Sequence, residues 1–426
     1  MLHCRAWKRA REKLRHYRRR TPETSALYQI VYHLGGSLSR VWEERFQGTY
    51  GAFRDEVSRT FDAYLNCGLP EHGGARIYCD TCKHSLLVAF SCKKRGVCPS
   101  CAAKRAVKFG EHIYDTVLER VPHRHIVFTI PKRLRVYLRY DRGLNSLLFR
   151  AARQTVSSIL SPSTGMILTV QTAGESLNFH PHLHGLLADG AFQGSSFIPF
   201  GNIDSGALTR RFQDEFLAAL RIQELISDDD VHQILSQEHS GFSVWLGEPF
   251  LEEERTRFLA RYIERAPLSL EKLSLVDDIV SYTPKDGITS EFDPLEFLAL
   301  LSTHIPKPYE SITRYYGWYS SRRRGERKKI ETAEPGPVIK DTVREDKHSP
   351  SPAWAASIKR IYEIDPLECP RCKAPMRIIA FIHDPIELKK IMRSLDIPYF
   401  KPPPPVLMNS PPAFDSPIDD IPDTHS

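Results

Sequence analysis

Helical and extended hydrophobic patterns alternate through the middle of the chain. Apolar residues recur near helical spacing over 106–119 and again over 144–160, as expected for helices that bury one face. Residues 125–130 and 166–171 are short runs rich in β-branched and aromatic side chains, which is typical of strands, and Pro131 ends the first of them. This order predicts a sheet flanked by helices.

The next extended segment carries histidines. Residues 178–187 include His180, His182 and His184. Because alternate side chains of a strand share a face, His182 and His184 should project together while Leu183 points into the core. Two imidazoles side by side on a rigid strand form a ready pair of metal ligands, and the alternative is a pair of structural histidines. His180 shares their face only if the strand begins before Pro181.

Two amphipathic helices are predicted further along, over 207–224 and 252–265. Pro267 ends the second helix. That helix carries Phe258 and Tyr262 four residues apart, so their side chains lie on one face. From this helix alone, two core aromatics are the simpler interpretation.

Five cysteines lie within 23 residues early in the chain, out of nine in the whole sequence. Cys79 and Cys82 form one CxxC pair, and Cys98 and Cys101 form another after fifteen intervening residues. This is the spacing of a four-thiolate structural zinc site, in which each pair turns two thiolates toward one point. We therefore predict that these four residues bind one Zn²⁺, with Cys92 as an alternative member.

Further candidate ligands have no place in that site. Either they form part of a second metal site or the cysteines among them are small buried hydrophobic residues. Cys369 and Cys372 form a CxxC pair far downstream, and a lone pair supplies only two ligands. The pair can take two more ligands from this chain, for which His383 is a nearby candidate. Alternatively, it completes a site with a second copy of the chain, or it binds no metal. The candidates before this pair are Cys67, His72 and Cys92.

Composition narrows the class of protein. The 426 residues are 41% hydrophobic and 26% charged, ordinary values that exclude a fibrous or globally disordered chain. No apolar run reaches the length of about 18 residues that a membrane helix needs. The first residues also lack the apolar core of a secretory signal. We therefore expect a cytoplasmic protein with no membrane partner.

Positive charge is concentrated in two blocks. The formal net charge is +7, residues 1–20 hold nine Lys or Arg against Glu12 alone, and residues 322–329 are mostly Lys and Arg. Such blocks are as often solvated surface as they are nucleic-acid contacts. From residue 401 the chain is acidic and Pro-rich, which is typical of a disordered tail.

Taken in order, these motifs resemble the HUH superfamily of rolling-circle transposases. Specifically, they resemble the two-tyrosine insertion-sequence transposases that carry an N-terminal zinc-binding domain. Zinc knuckles come first, then a strand, a His-hydrophobic-His strand and a helix with a tyrosine. The matching stretches are 79–105, 125–135, 171–187, 258–267, 314–319 and 365–384.

The resemblance implies cleavage of single-stranded DNA. Tyr262 would attack a backbone phosphate to give a 5′-phosphotyrosine and a free 3′-hydroxyl. His182 and His184 would hold a catalytic Mg²⁺ or Mn²⁺, with Gln171 on the preceding strand as the third ligand. The DNA partner would be the single-stranded or hairpin ends of the element. Zn²⁺ would be structural.

The sequence departs from the family pattern at one position. The two-tyrosine motif is Tyr-x3-Tyr, and here the first tyrosine is replaced by Phe258. A phenyl ring cannot attack phosphorus, so the resemblance implies a mechanism with one tyrosine. Two alternatives stay open: a replication initiator or relaxase of the same superfamily, and a zinc-dependent DNA-binding remnant without catalysis. Three tyrosines near the second basic block are interpreted as core or base-stacking residues; they are Tyr315, Tyr316 and Tyr319.

The predicted fold class is α+β, in six consecutive parts. A basic helical region and a zinc-binding domain precede an HUH-type antiparallel sheet flanked by helices. A linker, a small CxxC module and a Pro-rich tail follow. In the same order, the predicted bounds are 1–75, 76–106, 107–330, 331–356, 357–400 and 401–426.

Overall fold

The computed structural model describes residues 21–194, 196–237, 239–285, 287–332 and 367–403. The predictions for the basic run 1–20, for the linker beyond residue 332 and for the tail beyond residue 403 lie outside the described residues. Among the helices that the structure describes, none is both long enough and apolar enough to cross a membrane.

Helices and strands are numbered here in chain order. The helices are α1 (Ala26–Arg45), α2 (Gln47–Tyr50), α3 (Asp55–Leu65), α4 (Pro99–Thr116), α5 (Lys132–Tyr140), α6 (Asn145–Ile159), α7 (Ser205–Ile222), α8 (Asp228–Leu235), α9 (Glu253–Ile263), α10 (Pro294–Ser302), α11 (Ser321–Thr332) and α12 (Pro385–Ser394). The strands are β1 (Gly74–Tyr78), β2 (Ser85–Ala89), β3 (His123–Thr129), β4 (Met166–Ala173), β5 (Phe179–Ala188), β6 (Gly190–Gln193), β7 (Ser196–Pro199), β8 (Ser243–Leu246), β9 (Leu273–Val276), β10 (Ile279–Tyr282), β11 (Ser290–Phe292), β12 (Thr313–Tyr316) and β13 (Arg377–Ile382). The elements predicted in the middle of the chain are therefore confirmed, and α4 begins earlier than predicted, at the second CxxC pair.

A five-stranded sheet lies at the centre of the molecule. Its order is β12-β4-β5-β3-β8, and every neighbouring pair is antiparallel. This confirms the predicted α+β class with an antiparallel sheet flanked by helices. The histidine-bearing strand β5 is the middle strand, so backbone hydrogen bonds on both sides hold it in place.

The two faces of this sheet have different partners. On one face, Phe128, Leu168 and Leu183 are fully buried and pack with Phe149 of α6 and Phe212 of α7. Leu183 therefore points into the core as predicted. The alternate residues of the same strands, including His182 and His184, face the other way.

Helices α4 and α9 cover part of that second face. Ile113 of α4 and Ile263 of α9 join Leu186 of β5 in a second core. The two helices approach closely at Gly110, where an added Cβ would lie 2.9 Å from Cγ of Arg261. Because residue 110 has no side chain, α9 can pack close to α4, and this close packing helps to position Tyr262.

The N-terminal helices fold with a distant part of the chain. Leu27 of α1 and Phe61 of α3 share a core with Val280 of β10 and with Phe297 and Leu298 of α10. Strands β9, β10 and β11 form a three-stranded sheet beside them. Residues 268–305 thus pack with the N-terminal region, although the sequence placed them within the catalytic region 107–330.

A second small sheet joins the two ends of the described chain. Its order is β13-β1-β2, and β1 pairs with β13 along its whole length, Gly74–Tyr78. The sequence treated the zinc-binding domain and the C-terminal CxxC module as separate parts. In the structure they are one sheet, because the downstream strand forms the outer edge beside β1.

Candidate active site and metal centres

Four histidines form a row on the helix-covered face of the central sheet. His180, His182 and His184 occupy alternate positions of β5, and His125 lies beside them on β3. From His180 through to His125, successive ring centroids are 5.0, 4.8 and 5.1 Å apart. Strand β5 begins at Phe179, so His180 does share the face of the predicted pair.

Hydrogen bonds fix the orientation of the central pair. Nδ1 of His182 donates to the backbone carbonyl of His180 at 2.6 Å, since a carbonyl oxygen only accepts. This leaves the lone pair of His182 Nε2 directed at His184 Nε2, 3.0 Å away. Nδ1 of His184 lies 3.0 Å from Nε2 of His125. Each ring of the pair is thus held through its other nitrogen, as in metal-binding histidines.

Burial keeps the row uncharged. It lowers the pKa of His182 to about 4 and the pKa of His184 to about 2. It likewise lowers the pKa of His125 to about 4 and the pKa of His180 to about 2. An imidazole must be neutral to offer a lone pair to a metal ion. At neutral pH the row is therefore ready to bind a cation without first losing a proton.

The spacing of the pair fits a divalent cation. Adjacent ligands of an octahedral ion that are each about 2.1 Å from it are about 3.0 Å apart, and Nε2 of His182 and Nε2 of His184 are separated by 3.0 Å. Among the described residues, the buried Nε2 of the neighbouring His180 has no hydrogen-bond partner. Donor type, charge state and spacing therefore all suit a bound cation.

Tyr262 faces this pair from helix α9. Its ring stands at 90° to the ring of His184, with the centroids 5.5 Å apart. It stands at 82° to the ring of His125, 6.1 Å away. The guanidinium carbon of Arg265 lies 4.3 Å from the centre of the Tyr262 ring. The predicted nucleophile, the predicted metal pair and a positive charge are thus brought into one site.

Gln171 has a different set of contacts from those of a metal ligand. It lies opposite His182 in the sheet, but its amide nitrogen donates to the carbonyls of Tyr262 and Ile263 at 3.3 and 3.1 Å. Its amide oxygen accepts from Nε of Arg265 at 3.4 Å. The expectation that Gln171 is the third ligand is therefore not supported by its contacts, which instead hold the end of α9 to the sheet.

Two exposed aromatic side chains flank the site. Phe258 is 66% exposed and its ring lies nearly parallel to that of Tyr262, at 6.4 Å. Trp245 of β8 is 53% exposed and stands edge-on to His125 at 5.3 Å. Neither ring belongs to the core, so the interpretation of Phe258 as a core aromatic is wrong. Exposed rings beside a charged site are suited to stacking against unpaired bases.

A basic cleft of about 710 Å³ opens beside Tyr262. Its acidic lining includes Glu264, a buried side chain whose pKa is raised by desolvation and which lies 3.4 Å from the guanidinium of Arg95. Positive charge exceeds negative charge along the walls, as expected where a phosphate backbone binds. The basic residues that line the cleft are Arg95, Arg105, Arg142, Arg265, Lys272 and Lys285.

Two clusters of four cysteines replace the single predicted zinc site. The helix cluster consists of Cys67, Cys92, Cys98 and Cys101. Its closest sulfur pairs are 3.5, 3.6 and 3.7 Å apart. Four thiolates that are each about 2.3 Å from one Zn²⁺ lie about 3.8 Å from one another, so the cluster fits zinc. Cys98 is the N-cap of α4, so this cluster fixes the start of that helix.

The split cluster consists of Cys79, Cys82, Cys369 and Cys372. The predicted grouping of the first two with Cys98 and Cys101 is therefore wrong. Strand β2 leads the chain away from the first CxxC pair, and the second pair meets Cys67 after the end of α3 instead. Each predicted cysteine still lies in a four-thiolate cluster, but with different partners.

The remaining candidates have other surroundings. Neither His72 nor His383 belongs to a cysteine cluster among the described residues, and the ring of His383 packs 4.9 Å from Phe90. Tyr319 is fully buried, with its hydroxyl 2.7 Å from Nε2 of His123, which confirms it as a core residue. Tyr315 and Tyr316 line a second cleft, of about 1320 Å³, together with several arginines.

Sequence reasoning missed His125 and Trp245. His125 lies on β3, which pairs with β5, and Trp245 lies on β8, which pairs with β3. Val127 of β3 is opposite both His184 and Trp245. The available signal was the histidine that opens the first strand-like run, two positions before Val127. Strand alternation places it on the face of the pair once β3 and β5 are known to be neighbours.

Comparison with known proteins finds transposases. Residues 38–130 match the family described as "Transposase zinc-binding domain", and residues 165–327 match the family described as "Putative transposase". The chain is 25% identical over 369 residues to the transposase for insertion sequence element IS801 of Pseudomonas savastanoi pv. phaseolicola, covering 78% of this chain and 85% of that protein. It is 26% identical over 325 residues to the putative transposase y4qJ of Sinorhizobium fredii, covering 67% and 80%. No solved structure matches.

The first family match contains the helix cluster, and the second contains His182, His184 and Tyr262. The alignments cover most of the length of both relatives. The chain is therefore similar to transposases, including that of an insertion sequence, in both matched regions and over most of its length.

Proposed function

We propose that this transposase nicks single-stranded DNA with Tyr262 as the nucleophile and moves its element by a rolling-circle mechanism. The observation that carries the proposal is the position of Tyr262 across the histidine pair, with its ring 5.5 Å from that of His184. The tyrosine and the pair lie on opposing rigid elements, α9 and β5. A covalent nucleophile facing a cation site is the arrangement that metal-assisted transesterification requires.

In the proposed step, the phenolic oxygen of Tyr262 forms a bond to the phosphorus of one phosphodiester, and the bond from that phosphorus to the 3′ oxygen breaks. The phenol loses its proton and the departing 3′ oxygen gains one, so the charge balances. The strand is left with a free 3′-hydroxyl, and its 5′ end stays attached to Tyr262. Because one phosphoester replaces another, a 3′-hydroxyl can later rejoin the strand by the reverse attack.

The surrounding charges suit this chemistry. A Mg²⁺ or Mn²⁺ held by His182 and His184 would offset the negative charge that develops on the phosphate oxygens. Arg265, whose guanidinium lies against the Tyr262 ring, adds a second positive group on the nucleophile's side. The basic cleft beside Tyr262 extends this charge along the path of neighbouring phosphates.

Exposed aromatics support a single-stranded substrate. Trp245 and Phe258 present their rings to solvent, the first beside His125 and the second beside Tyr262. Bases in a duplex have their faces covered by their neighbours, whereas unpaired bases can stack on such rings. Phe258 thus keeps the aromatic surface of the first motif position without its hydroxyl, and Tyr262 alone supplies the nucleophile.

Two alternative functions are consistent with part of this site. A replication initiator or relaxase would use the same chemistry, and the similarity to transposases over most of the chain favours transposition. A DNA-binding protein without catalysis is favoured by one observation, the phenylalanine at position 258. The intact neutral histidine row argues against decay of the site.

The test is a nicking assay on labelled single-stranded DNA from the ends of the element, with Mg²⁺. Tyr262→Phe removes one oxygen and leaves the ring packing nearly unchanged, so we expect it to abolish nicking while DNA affinity and melting temperature stay at wild-type values. Tyr309→Phe removes the same oxygen from a fully exposed tyrosine and should leave nicking unchanged. Wild-type nicking that persists in Tyr262→Phe would overturn the proposal, and wild type without nicking would leave the DNA-binding alternative.

A further inference from the structure

The split cluster is assembled from positions 293 residues apart. Sγ of Cys79 lies 3.5 Å from Sγ of Cys372, and Sγ of Cys82 lies 3.4 Å from Sγ of Cys369. All four sulfur atoms lie within 4.8 Å of one another, and none of them is in a disulfide. Each CxxC pair therefore faces the other across the centre of one tetrahedron.

The two halves of the cluster are built from the same turn. In the first, the amide of Lys83 donates to the carbonyl of Cys79 at 2.9 Å, and Lys83 adopts a φ of 63°. In the second, the amide of Lys373 donates to the carbonyl of Cys369 at 2.9 Å, and Lys373 adopts a φ of 62°. A lysine in the left-handed region is unfavourable for its backbone. Its recurrence after both pairs indicates that the turns are shaped to aim thiolates at a common point.

The strands that flank these turns place them side by side. The first turn follows β1 and leads into β2, and the second leads into β13, which pairs with β1. Cys79 and Cys369 are fully buried together with Ile77, Val88 and Met376. Two of the four thiols, those of Cys79 and Cys369, therefore lie in a small apolar core, while Cys82 is half-buried and Cys372 is exposed at its edge.

We propose that the split cluster binds a second structural Zn²⁺, which clasps the C-terminal segment 367–403 onto the N-terminal zinc-binding domain. The sulfur separations of 3.4 and 3.5 Å are close to the spacing of about 3.8 Å for four thiolates on one Zn²⁺. Neither matched family region contains Cys369 or Cys372, since the two regions end at residues 130 and 327. The site rests on cysteine geometry alone and does not depend on the nicking reaction.

We expect the metal to contribute much of the docking free energy, because apart from the pairing of β13 with β1 the segment buries few apolar side chains. Strand β13 is the outer edge of its sheet, and Phe381 on it is 57% exposed. Helix α12 buries only Leu388 and Met392, against Leu87. A segment of this size cannot close a large core, and small folds of this kind are commonly held by a metal. The free energy of zinc binding therefore contributes directly to the docking of the segment.

The clasp also reaches the N-terminal helices. Phe400, near the end of the docked segment, lies 6.0 Å from the ring of Tyr28 and 6.0 Å from the ring of Tyr32 on α1. Its backbone amide donates to the carboxylate of Glu71. Loss of the second zinc should therefore release contacts on α1 as well as the pairing of β13.

The experiment measures zinc content and hydrogen–deuterium exchange on the full chain. We expect two zinc ions per chain in the wild type and one in the double variant Cys369→Ser with Cys372→Ser. In that variant the amides of 377–382 should lose protection, while those of 179–188 in the central sheet keep it. The exposed Arg371, between the two cysteines, offers the matched control: Arg371→Ser should keep both zinc ions and the protection of β13.

A second variant keeps the test decisive if the double variant folds poorly. Cys372→His retains four ligands, since imidazole is a normal zinc ligand, and should keep two zinc ions and a protected β13. A wild type with one zinc ion that the double variant also keeps would overturn the proposal. So would a double variant that loses one zinc ion without any change in the exchange of 377–382.

Discussion

His182 and His184 depend on different groups for their orientation. A backbone carbonyl holds the first and the ring of His125 holds the second. None of these rings is charged at neutral pH, because burial lowers their pKa values to about 4 or below. They therefore contribute little to the attraction of DNA, which comes from Lys and Arg contacts with phosphates. Catalysis and affinity should separate at these positions.

This separation is testable by alanine substitution. His182→Ala and His184→Ala should lower the nicking rate roughly 100-fold or more, the scale of loss when stabilisation of transition-state charge is removed. His125→Ala removes only the support of a ligand and should cost roughly 10- to 100-fold. His72→Ala, at an exposed position outside the site, is the control. Nicking rates and DNA dissociation constants are measured for each variant at one salt concentration.

Equal losses of nicking and of DNA affinity would show that the pair is structural. EDTA should reproduce the effect of the alanine variants on the wild type, and added Mg²⁺ or Mn²⁺ should restore nicking to the wild type only.

At the scale of elements, the position of Tyr262 depends on how α9 is held above the sheet. Gln171 ties the last carbonyls of α9 to β4. The contact at Gly110 lets α9 approach α4, where an added Cβ would be 3.3 Å from the carbonyl of Arg257. The helix cluster in turn fixes the start of α4 at Cys98. A chain of packed elements thus connects the helix cluster to Tyr262.

Gly110→Val tests this connection. The added side chain would push α9 away from α4 and shift Tyr262 relative to His184. We expect the nicking rate to fall roughly 10- to 100-fold, as displacements of about 1 Å do in other enzymes, with zinc content and DNA affinity unchanged. Gly36→Val places the same side chain on α1, where an added Cβ meets no other atom within 4 Å, and should leave nicking unaffected. Equal nicking rates in the two variants would show that the α4–α9 contact does not position the tyrosine.

Local patterns in the sequence were sufficient for the elements that carry the site. The strand with His182 and His184 and the helix with Tyr262 were both predicted, because alternation and helical spacing are local signals. The register that brings His125 beside His184 was not predictable in the same way. It follows from the pairing of β3 with β5, which no single segment encodes.

At the scale of the whole molecule, the chain returns to its N-terminal half twice. Residues 268–305 pack on α1 and α3, and residues 367–403 complete the sheet of the first CxxC pair. The CxxC spacing correctly identified cysteines in four-thiolate clusters but grouped them wrongly. Spacing reports only neighbours along the chain, whereas Cys79 finds its partners 293 residues away. Domain boundaries drawn in sequence order likewise cannot express contacts between distant segments.

These contacts leave one face of the central sheet for chemistry. The helix-covered face holds the histidine row with Tyr262 across from it, and the basic cleft opens beside Tyr262. The opposite face is filled by α6 and α7.

The identity of the nucleophile is tested most directly by mapping the covalent intermediate. Wild-type protein is incubated with labelled single-stranded DNA from an element end and Mg²⁺, denatured, digested with a protease and examined by mass spectrometry. The proposed mechanism predicts one protein–DNA adduct that survives denaturation and maps to the peptide containing Tyr262, through a phosphate on the 5′ end of the DNA. An adduct on Tyr315, Tyr316 or another tyrosine, or nicking with no adduct at all, would contradict it.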